Sequence, residues 1–205
     1  SGSVQVLRKS DRLMPKEQRL MSIILTESER LNQSIASFLR FVKPHERSPE
    51  SFDVAASLAD TLELLANSVE LRPEHSIVSY IEPEHFELYG DPNQIRQVFW
   101  NVAKNAFQAM PEGGRLVVST SVIDGHYRIT FNDEGTGMSD EDRRRMFQPF
   151  TTSSASGTGL GMAISYRIVQ EHDGAIEVDS HPGSGTRITI SLPVPEAGED
   201  VAAGG

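Results

Sequence analysis

Two glycine clusters flank a polar stretch in the last third of this chain, and their placement constrains its fold more than any other feature. Asp133-Glu134-Gly135-Thr136-Gly137 comes just after an alternating apolar run ending at Phe131. Gly157-Thr158-Gly159-Leu160-Gly161 leads straight into a helical pattern carrying Met162, Ala163, Ile164, Ile168 and Val169. A carboxylate at a strand end can accept from the exocyclic amine of a purine, and glycines beside it let backbone approach a ligand closely. Taken alone, such an Asp-x-Gly-x-Gly pattern can equally be a plain turn. Glycines opening a helix leave free N–H groups and the positive dipole end facing an anion. The second cluster is not a P-loop, because no Lys-Ser or Lys-Thr follows it. Its likeness to the dinucleotide fingerprint is loose, since the spacing differs and the βαβ context is missing. Between the clusters, Ser139 to Ser156 is polar, with a short helix predicted over Ser139 to Phe147 and a tip of small residues. That composition suits a lid over a nucleotide.

A third feature lies upstream. Asn101 and Asn105 are one helical turn apart in NVAKNAFQAM, so both amides share a face. Asn is a poor helix-interior residue unless its amide is used. Two carbonyl oxygens there suit a hard cation such as Mg²⁺, with waters and phosphate oxygens completing the shell. Lys104 is within reach of a phosphate on the same reading. The bland alternative is that both amides satisfy buried backbone or solvent.

The rest of the chain supplies a frame. Leu20, Ile24, Leu31, Ile35, Phe38 and Val42 recur at helical steps, a narrow stripe of bundle type, until Pro44 ends it. Val4, Val6, Leu7 and Leu13 read as the tail of a preceding antiparallel helix, so residues 4–48 form a truncated helical hairpin whose second helix runs over about 16–43. Such a stripe needs a partner, and a second copy would supply one; a helix lying on its own globular domain is the alternative. A linker, PHERSPES, follows. Beyond it the pattern predicts a strand near Phe52, a helix over Leu58, Leu62, Leu65 and Val69, and a strand from Ser76 to Ile81. Asp91-Pro92 then caps a long helix through Ala109. Leu116 to Val122 and Tyr127 to Phe131 form a hairpin across Asp124-Gly125, and Ala175 to Val178 and Arg187 to Leu192 form another. The fold class is therefore α+β: helices on one face of a mixed, largely antiparallel sheet, a two-layer sandwich preceded by the hairpin segment. Residues 49–194 make up that domain, 195–205 read as a disordered tail, and Ser1-Gly2-Ser3 reads as an expression scar.

Charge and composition exclude some functions. With 29 acidic and 19 basic residues the formal net charge is −10, which disfavours binding nucleic acid by phosphate neutralisation or resting on an anionic membrane. Cys is absent, so disulfides and thiolate metal sites are ruled out. No apolar run approaches the ~20 residues that span a bilayer. A cytoplasmic location is the resulting expectation.

Taken together, these segments resemble the catalytic half of two-component sensor histidine kinases, within the wider GHKL-type ATPase class that includes gyrase, mismatch-repair proteins and a heat-shock chaperone. Asn101 to Asn105 resembles that family's N box, Asp133 to Gly137 its G1 box, Phe147-Gln148-Pro149-Phe150 its F box, and Gly157 to Gly161 its G2 box. Arg19 to Pro44 resembles the second helix of the dimerisation hairpin, in wording closest to the nitrogen-regulation type. The resemblance implies ATP and Mg²⁺ as cofactors. Asp133 would bind the adenine amino group, with Gly135 and Gly137 lining the base pocket. Asn105, joined by Asn101, would hold Mg²⁺ against the phosphates, with Lys104 beside them. Gly157, Thr158, Gly159, Leu160 and Gly161 would cradle the phosphates, and Phe147 and Phe150 would anchor the lid. The implied partners are ATP, the chain's own dimerisation hairpin (a homodimer through residues 16–43) and a response-regulator receiver domain.

One departure is large. The family's acceptor histidine sits in an H box with a following acidic residue and Pro-Leu, and nothing here fits it. His45-Glu46-Arg47-Ser48-Pro49 has its proline one residue too early, and the other five histidines are scattered over turns and element ends. The expected activity is γ-phosphoryl transfer to a histidine absent from this sequence, for relay to a response-regulator aspartate, with no self-labelling. The alternatives are a nucleotide-gated binding module, of pseudokinase or anti-sigma-like type, and a hydrolysing ATPase. Hydrolysing relatives place a Glu four residues before the metal-binding Asn, a position held here by Asn101.

Overall fold

A computed structural model of the chain describes residues 18–28, 31, 35, 48–68, 71–151 and 159–194. Residues 18–28 are helical (α1) and expose Leu20, Ile23 and Ile24, with Leu31 and Ile35 exposed further along. The rest of the proposed hairpin, the decoy His45, the tail from 195 and Val69 lie outside the described residues.

From residue 50 the order is β1 (Glu50–Asp53), α2 (Val54–Ala66), β2 (His75–Tyr80), β3 (Glu87–Gly90), α3 (Pro92–Ala109), β4 (Gly114–Ile123), β5 (His126–Asp133), α4 (Asp140–Arg145), α5 (Gly161–Glu171), β6 (Ala175–Ser180) and β7 (Thr186–Pro193). Five strands form one mixed sheet in the order β2-β4-β5-β7-β6. Only β2 and β4 run parallel; the other pairs are antiparallel. A second, two-stranded sheet joins β1 to β3. Strand β3 is not foreseen by the sequence pattern, and β5 runs two residues further than its apolar alternation implies, so Asp133 is the strand's last residue.

The helices form where the sequence caps them. Asp53 accepts the Ala56 N–H at 3.0 Å to open α2. Asp91 accepts the N–H groups of Asn93 and Gln94 at 2.9 and 3.2 Å, and Pro92 fills the first position of α3, where a missing N–H costs nothing. Helix α3 buries Ile95, Val98, Phe99, Val102, Ala103, Ala106 and Phe107. These meet Leu116, Val118, Tyr127, Ile129, Phe131, Ile188 and Ile190 from the sheet in one continuous core. Each large side chain so buried stabilises the fold by about 1.5–3 kcal/mol. Because β5 alternates buried and half-buried residues along its whole length, its register sets which side chains face the helices. The core thus holds α3, α5 and the C-terminal end of β5 together, and the functional motifs lie on these three elements.

Candidate nucleotide site

Asp133 ends the central strand and is only 7% exposed. Its Oδ1 accepts two backbone N–H groups, from Gly135 at 2.9 Å and from Thr186 at 3.1 Å. Burial pushes this carboxyl above its ordinary value, and those two donors oppose the shift. Among the described residues no donor is bonded to Oδ2, so one lone-pair-rich oxygen is left over in a buried setting. Such an acceptor suits an amine.

The loop after Asp133 is fixed on three sides. The Thr136 N–H donates to the Ala109 carbonyl at the end of α3 (2.9 Å). The Thr136 carbonyl accepts from Gly183 (2.7 Å), and the Met138 N–H donates to Ser180 Oγ (2.9 Å). Glu134 pairs with Arg115 on β4 at 2.7 Å; the Arg115 side-chain hydrogen bond, then its backbone N–H, hold the Glu134 carboxyl below the usual range. Gly135 and Gly137 also meet a constraint set by the protein itself. A Cβ on Gly135 would sit 2.7 Å from the Ala109 carbonyl oxygen, and one on Gly137, at φ +65°, would run into the His181 carbonyl. The space these glycines leave is taken by the protein's own backbone. Reciprocally, a Cβ on Gly185 (φ +73°) would collide with the Asp133 carbonyl. The turn from His181 to Gly185 is thus a wall of the site. Ser180, Gly185 and Thr186 were not among the residues the motifs single out.

Helix α5 begins at Gly161, with Leu160 buried at its N-cap and no side chain capping its first turn. Without a side-chain cap among the described residues, such a helix start suits an anion. Asn101 reaches this end of α5: its Nδ2 donates to the Gly161 carbonyl at 3.1 Å and to Ser165 Oγ at 3.2 Å. One half of the bland expectation holds for Asn101, whose amide nitrogen satisfies backbone, while its carbonyl oxygen remains. Among the described residues the half-buried Asn105 amide makes no hydrogen bond. The described residues contain no group of three His, Cys, Asp or Glu able to hold a metal. A cation here would rely on amide oxygens, phosphate and water, the set a hard ion such as Mg²⁺ accepts. Lys104 is half-buried on the same helix.

Of the second glycine cluster, Gly157 and Thr158 lie outside the described residues. Gly159, at φ +67°, packs against the backbone of Phe150 and Thr151, where a Cβ would meet the Phe150 carbonyl carbon at 2.6 Å. The lid helix α4 is shorter than predicted, with Ser139 accepting the Asp142 N–H as its N-cap. Phe147 is half-buried and lies against Tyr166 of α5, ring centroids 5.1 Å apart, so it fastens the lid to that helix. Phe150 is 64% exposed and holds a left-handed backbone (φ +64°). Two of the three lid arginines are tied to their own helix, Arg143 to Asp140 and Arg145 to Glu141.

A buried strand-end acid, an uncapped helix start and an amide-bearing helix between them define a nucleotide-binding catalytic domain of the two-layer kind found in histidine kinases. Residues 90–196 match the family described as histidine kinase-, DNA gyrase B-, and HSP90-like ATPase, and the chain belongs to that family. It is 37% identical over 183 residues to sporulation kinase E of Bacillus subtilis (strain 168), covering 87% of this chain and 24% of that protein. It is 33% identical over 196 residues to signal transduction histidine-protein kinase AtoS of Escherichia coli (strain K12), covering 94% of this chain and 32% of that one. A solved mycobacterial sensor histidine kinase, MprB, superimposes with a TM-score of 0.63 at 30% identity, over 71% of this chain and 97% of that one. Full-length ShkA in complex with AMPPNP shares the fold, at a TM-score of 0.76 and 24% identity over 94% of this chain and 42% of that one. The chain spans 24–45% of the length of these and similar curated relatives. No helix among the described residues is long and apolar enough to cross a membrane.

Proposed function

We propose that this chain binds Mg-ATP and transfers the γ-phosphoryl group to a histidine nitrogen on a dimerisation hairpin, releasing ADP. The phosphoryl group would then pass to an aspartate on a response-regulator receiver domain. The observation that carries this reading is Asp133: a buried carboxylate with one oxygen held by two backbone N–H groups and the other left to accept. It is suited to the adenine amino group.

The motif resemblance, with the geometry of the described residues, supports the remaining roles. Gly159, Leu160 and Gly161, with Gly157 and Thr158 before them, would receive the phosphates at the start of α5. Asn105, whose amide is unused among the described residues, is the first candidate to hold Mg²⁺, with the Asn101 carbonyl as a second. When bound, that ion would neutralise charge developing on the phosphates. Lys104 adds a positive charge on the same helix. Phosphoryl transfer needs little covalent chemistry from protein, so positioning and charge stabilisation suffice. Asn101 stands where a hydrolysing relative would carry a Glu to activate water, which favours transfer over hydrolysis. The exposed apolar residues of α1 fit pairing of two hairpins into a homodimer.

The test is phosphotransfer in trans. The chain is mixed with radiolabelled ATP, Mg²⁺ and a separate hairpin fragment bearing an H-box histidine, and run alone beside it. Acid-labile, base-stable label on the hairpin only is the expected result. Steady-state phosphate release without any protein label would overturn the kinase reading in favour of an ATPase. ATP binding with neither would favour a nucleotide-gated binding module.

A further inference from the structure

Helix α5 is fastened to α3 at both ends. Near its start, Asn101 of α3 donates to the Gly161 carbonyl and to Ser165 Oγ. At its far end, the buried His172, 7% exposed, closes the helix. Nε2 of the His172 ring accepts the Asp91 N–H at 3.0 Å, while Nδ1 bonds the Ile168 carbonyl at 2.7 Å. An acceptor Nε2 and a donor Nδ1 define one neutral tautomer. The fit is close, since a Cβ on Gly90 would meet the ring carbon Cδ2 at 2.6 Å. From Asp91 to Asn101 is about 15 Å of helix, and from Gly161 to His172 about 16 Å, at 1.5 Å per residue. The two clamps therefore fix an antiparallel pair of nearly matched length.

Asp91 also binds outward. Its Oδ1 caps α3, and its Oδ2 accepts the Ser48 N–H at 3.2 Å. Ser48 lies in the segment through which the chain enters this domain from the N-terminal helix. One residue, itself 5% exposed, thus holds the incoming segment by its side chain and the end of α5 by its backbone.

We propose that His172 is a positioning residue that, through Asp91, couples the segment at Ser48 to the phosphate-facing start of α5. This rests on the nucleotide reading of that helix start. Ligand that orders Gly159 to Ser165 then steadies α5 as a rigid body, and the His172–Asp91–Ser48 contacts carry the order to the domain's entrance. By linkage, whatever pulls on the entering segment changes nucleotide affinity by the same factor. A side chain that served only to fill space would give stability without this nucleotide-dependent effect.

The test is amide hydrogen exchange by mass spectrometry on the full chain, with and without saturating Mg²⁺ and AMPPNP. In the parent, nucleotide slows exchange at 133–137 and 159–166, and also at 48–53 and 89–92 by at least about fivefold. His172→Met keeps the first pair of effects and loses the second pair. His172→Gln, whose side-chain oxygen can accept the Asp91 N–H, restores them. Asp91→Asn keeps an N-cap acceptor but turns a donor toward Ser48, so it loses the effect at 48–53 alone. Slowing at the site without slowing at 48–53 in the parent would overturn the coupling and leave the nucleotide reading intact, as would transmitted slowing that survives in His172→Met. Absence of slowing at 133–137 and 159–166 would remove the nucleotide reading, and the coupling with it.

Discussion

The Asp133 carboxylate accepts the backbone N–H of Thr186 across 53 residues of sequence, at 3.1 Å. That bond ties the end of β5 to the start of β7, where the two strands are in register. It helps to orient the carboxylate and leaves Oδ2 without a donor among the described residues. The acid is thus held by two N–H donors that a side-chain substitution at either donor residue would not remove.

Asp133→Asn tests this arrangement. The amide keeps one oxygen for Gly135 and Thr186 and puts an NH₂ where the acceptor was, facing another amine. Adenine nucleotide affinity should fall by roughly ten- to a hundredfold, the cost of about 1.5–3 kcal/mol for a lost charge-assisted bond. Titration calorimetry with ADP gives the affinity, and the thermal midpoint serves as the folding control. Relief of a buried charge makes that midpoint equal to or above the parent's. Affinity within a factor of two of the parent would remove Asp133 from the site.

Asn105→Ala separates metal from base recognition. With Mg²⁺ present, ATP should bind more weakly than to the parent; with the metal chelated, the two should bind alike. Competition titrations against a fluorescent nucleotide, with and without EDTA, measure both arms. Equal weakening in the two conditions would mean that Asn105 supports the pocket and holds no cation.

Much of this site is legible in the sequence because its parts are local. Asp91-Pro92 announces the start of α3, alternation announces β5, and Gly159 to Gly161 announces the start of α5. What the sequence hides is set by distant pairing. Strand β3 is four residues long, buries only Leu88 and Gly90, and exists because Glu50 to Asp53 pairs with it. The turn from His181 to Gly185 reads as an ordinary hairpin loop, yet its carbonyls are what exclude a Cβ at Gly137. Asn101 and Asn105 look equivalent by spacing. Packing against Gly161 and Ser165 makes them unequal, and only a structure shows which amide is spent.

Two glycines of similar backbone conformation should respond very differently to alanine. Gly137 and Gly125 have φ of +65° and +69°. A Cβ at Gly125 meets nothing within 4 Å, whereas one at Gly137 strikes the His181 carbonyl. Gly125→Ala should cost about 1 kcal/mol, the left-handed penalty alone. Gly137→Ala should cost a further ~1–3 kcal/mol for backbone that must move, with a lower thermal midpoint by roughly 2–4 °C for each kcal/mol. Nucleotide affinity should fall only in Gly137→Ala, because that wall also bears Thr186. Equal losses of stability in the two variants would mean the loops are not packed as described.

The exposed pair of His85 and Asp53, at 2.7 Å, gives a pH-dependent signature away from the site. The hydrogen bond that His85 Nδ1–H donates to Asp53, then the Asp53 charge, raise the His85 value above 6.5. For Asp53, burial acts upward, but donors from Ala56, His85 and Phe86 together hold it below 3.8. A raised histidine contributes stability that is complete below pH 6.5 and lost as pH rises through the folded value. A lowered carboxylate contributes stability present above pH 3.8 and lost as pH falls through its folded value. The pair therefore acts between those two limits. His85→Ala should lower the thermal midpoint slightly near pH 6 and by less at alkaline pH, near pH 9, because the charged part of the bond fades as the imidazole deprotonates while Asp53 keeps its N-cap role through Ala56. The effect is small, since the imidazole is open to solvent and salt screens it. Thermal melts of both chains at the two pH values, repeated in high salt, decide the point. A difference that persists undiminished at pH 9 would show that His85 acts through a neutral Nδ1–H bond to Asp53, with no part played by its charge.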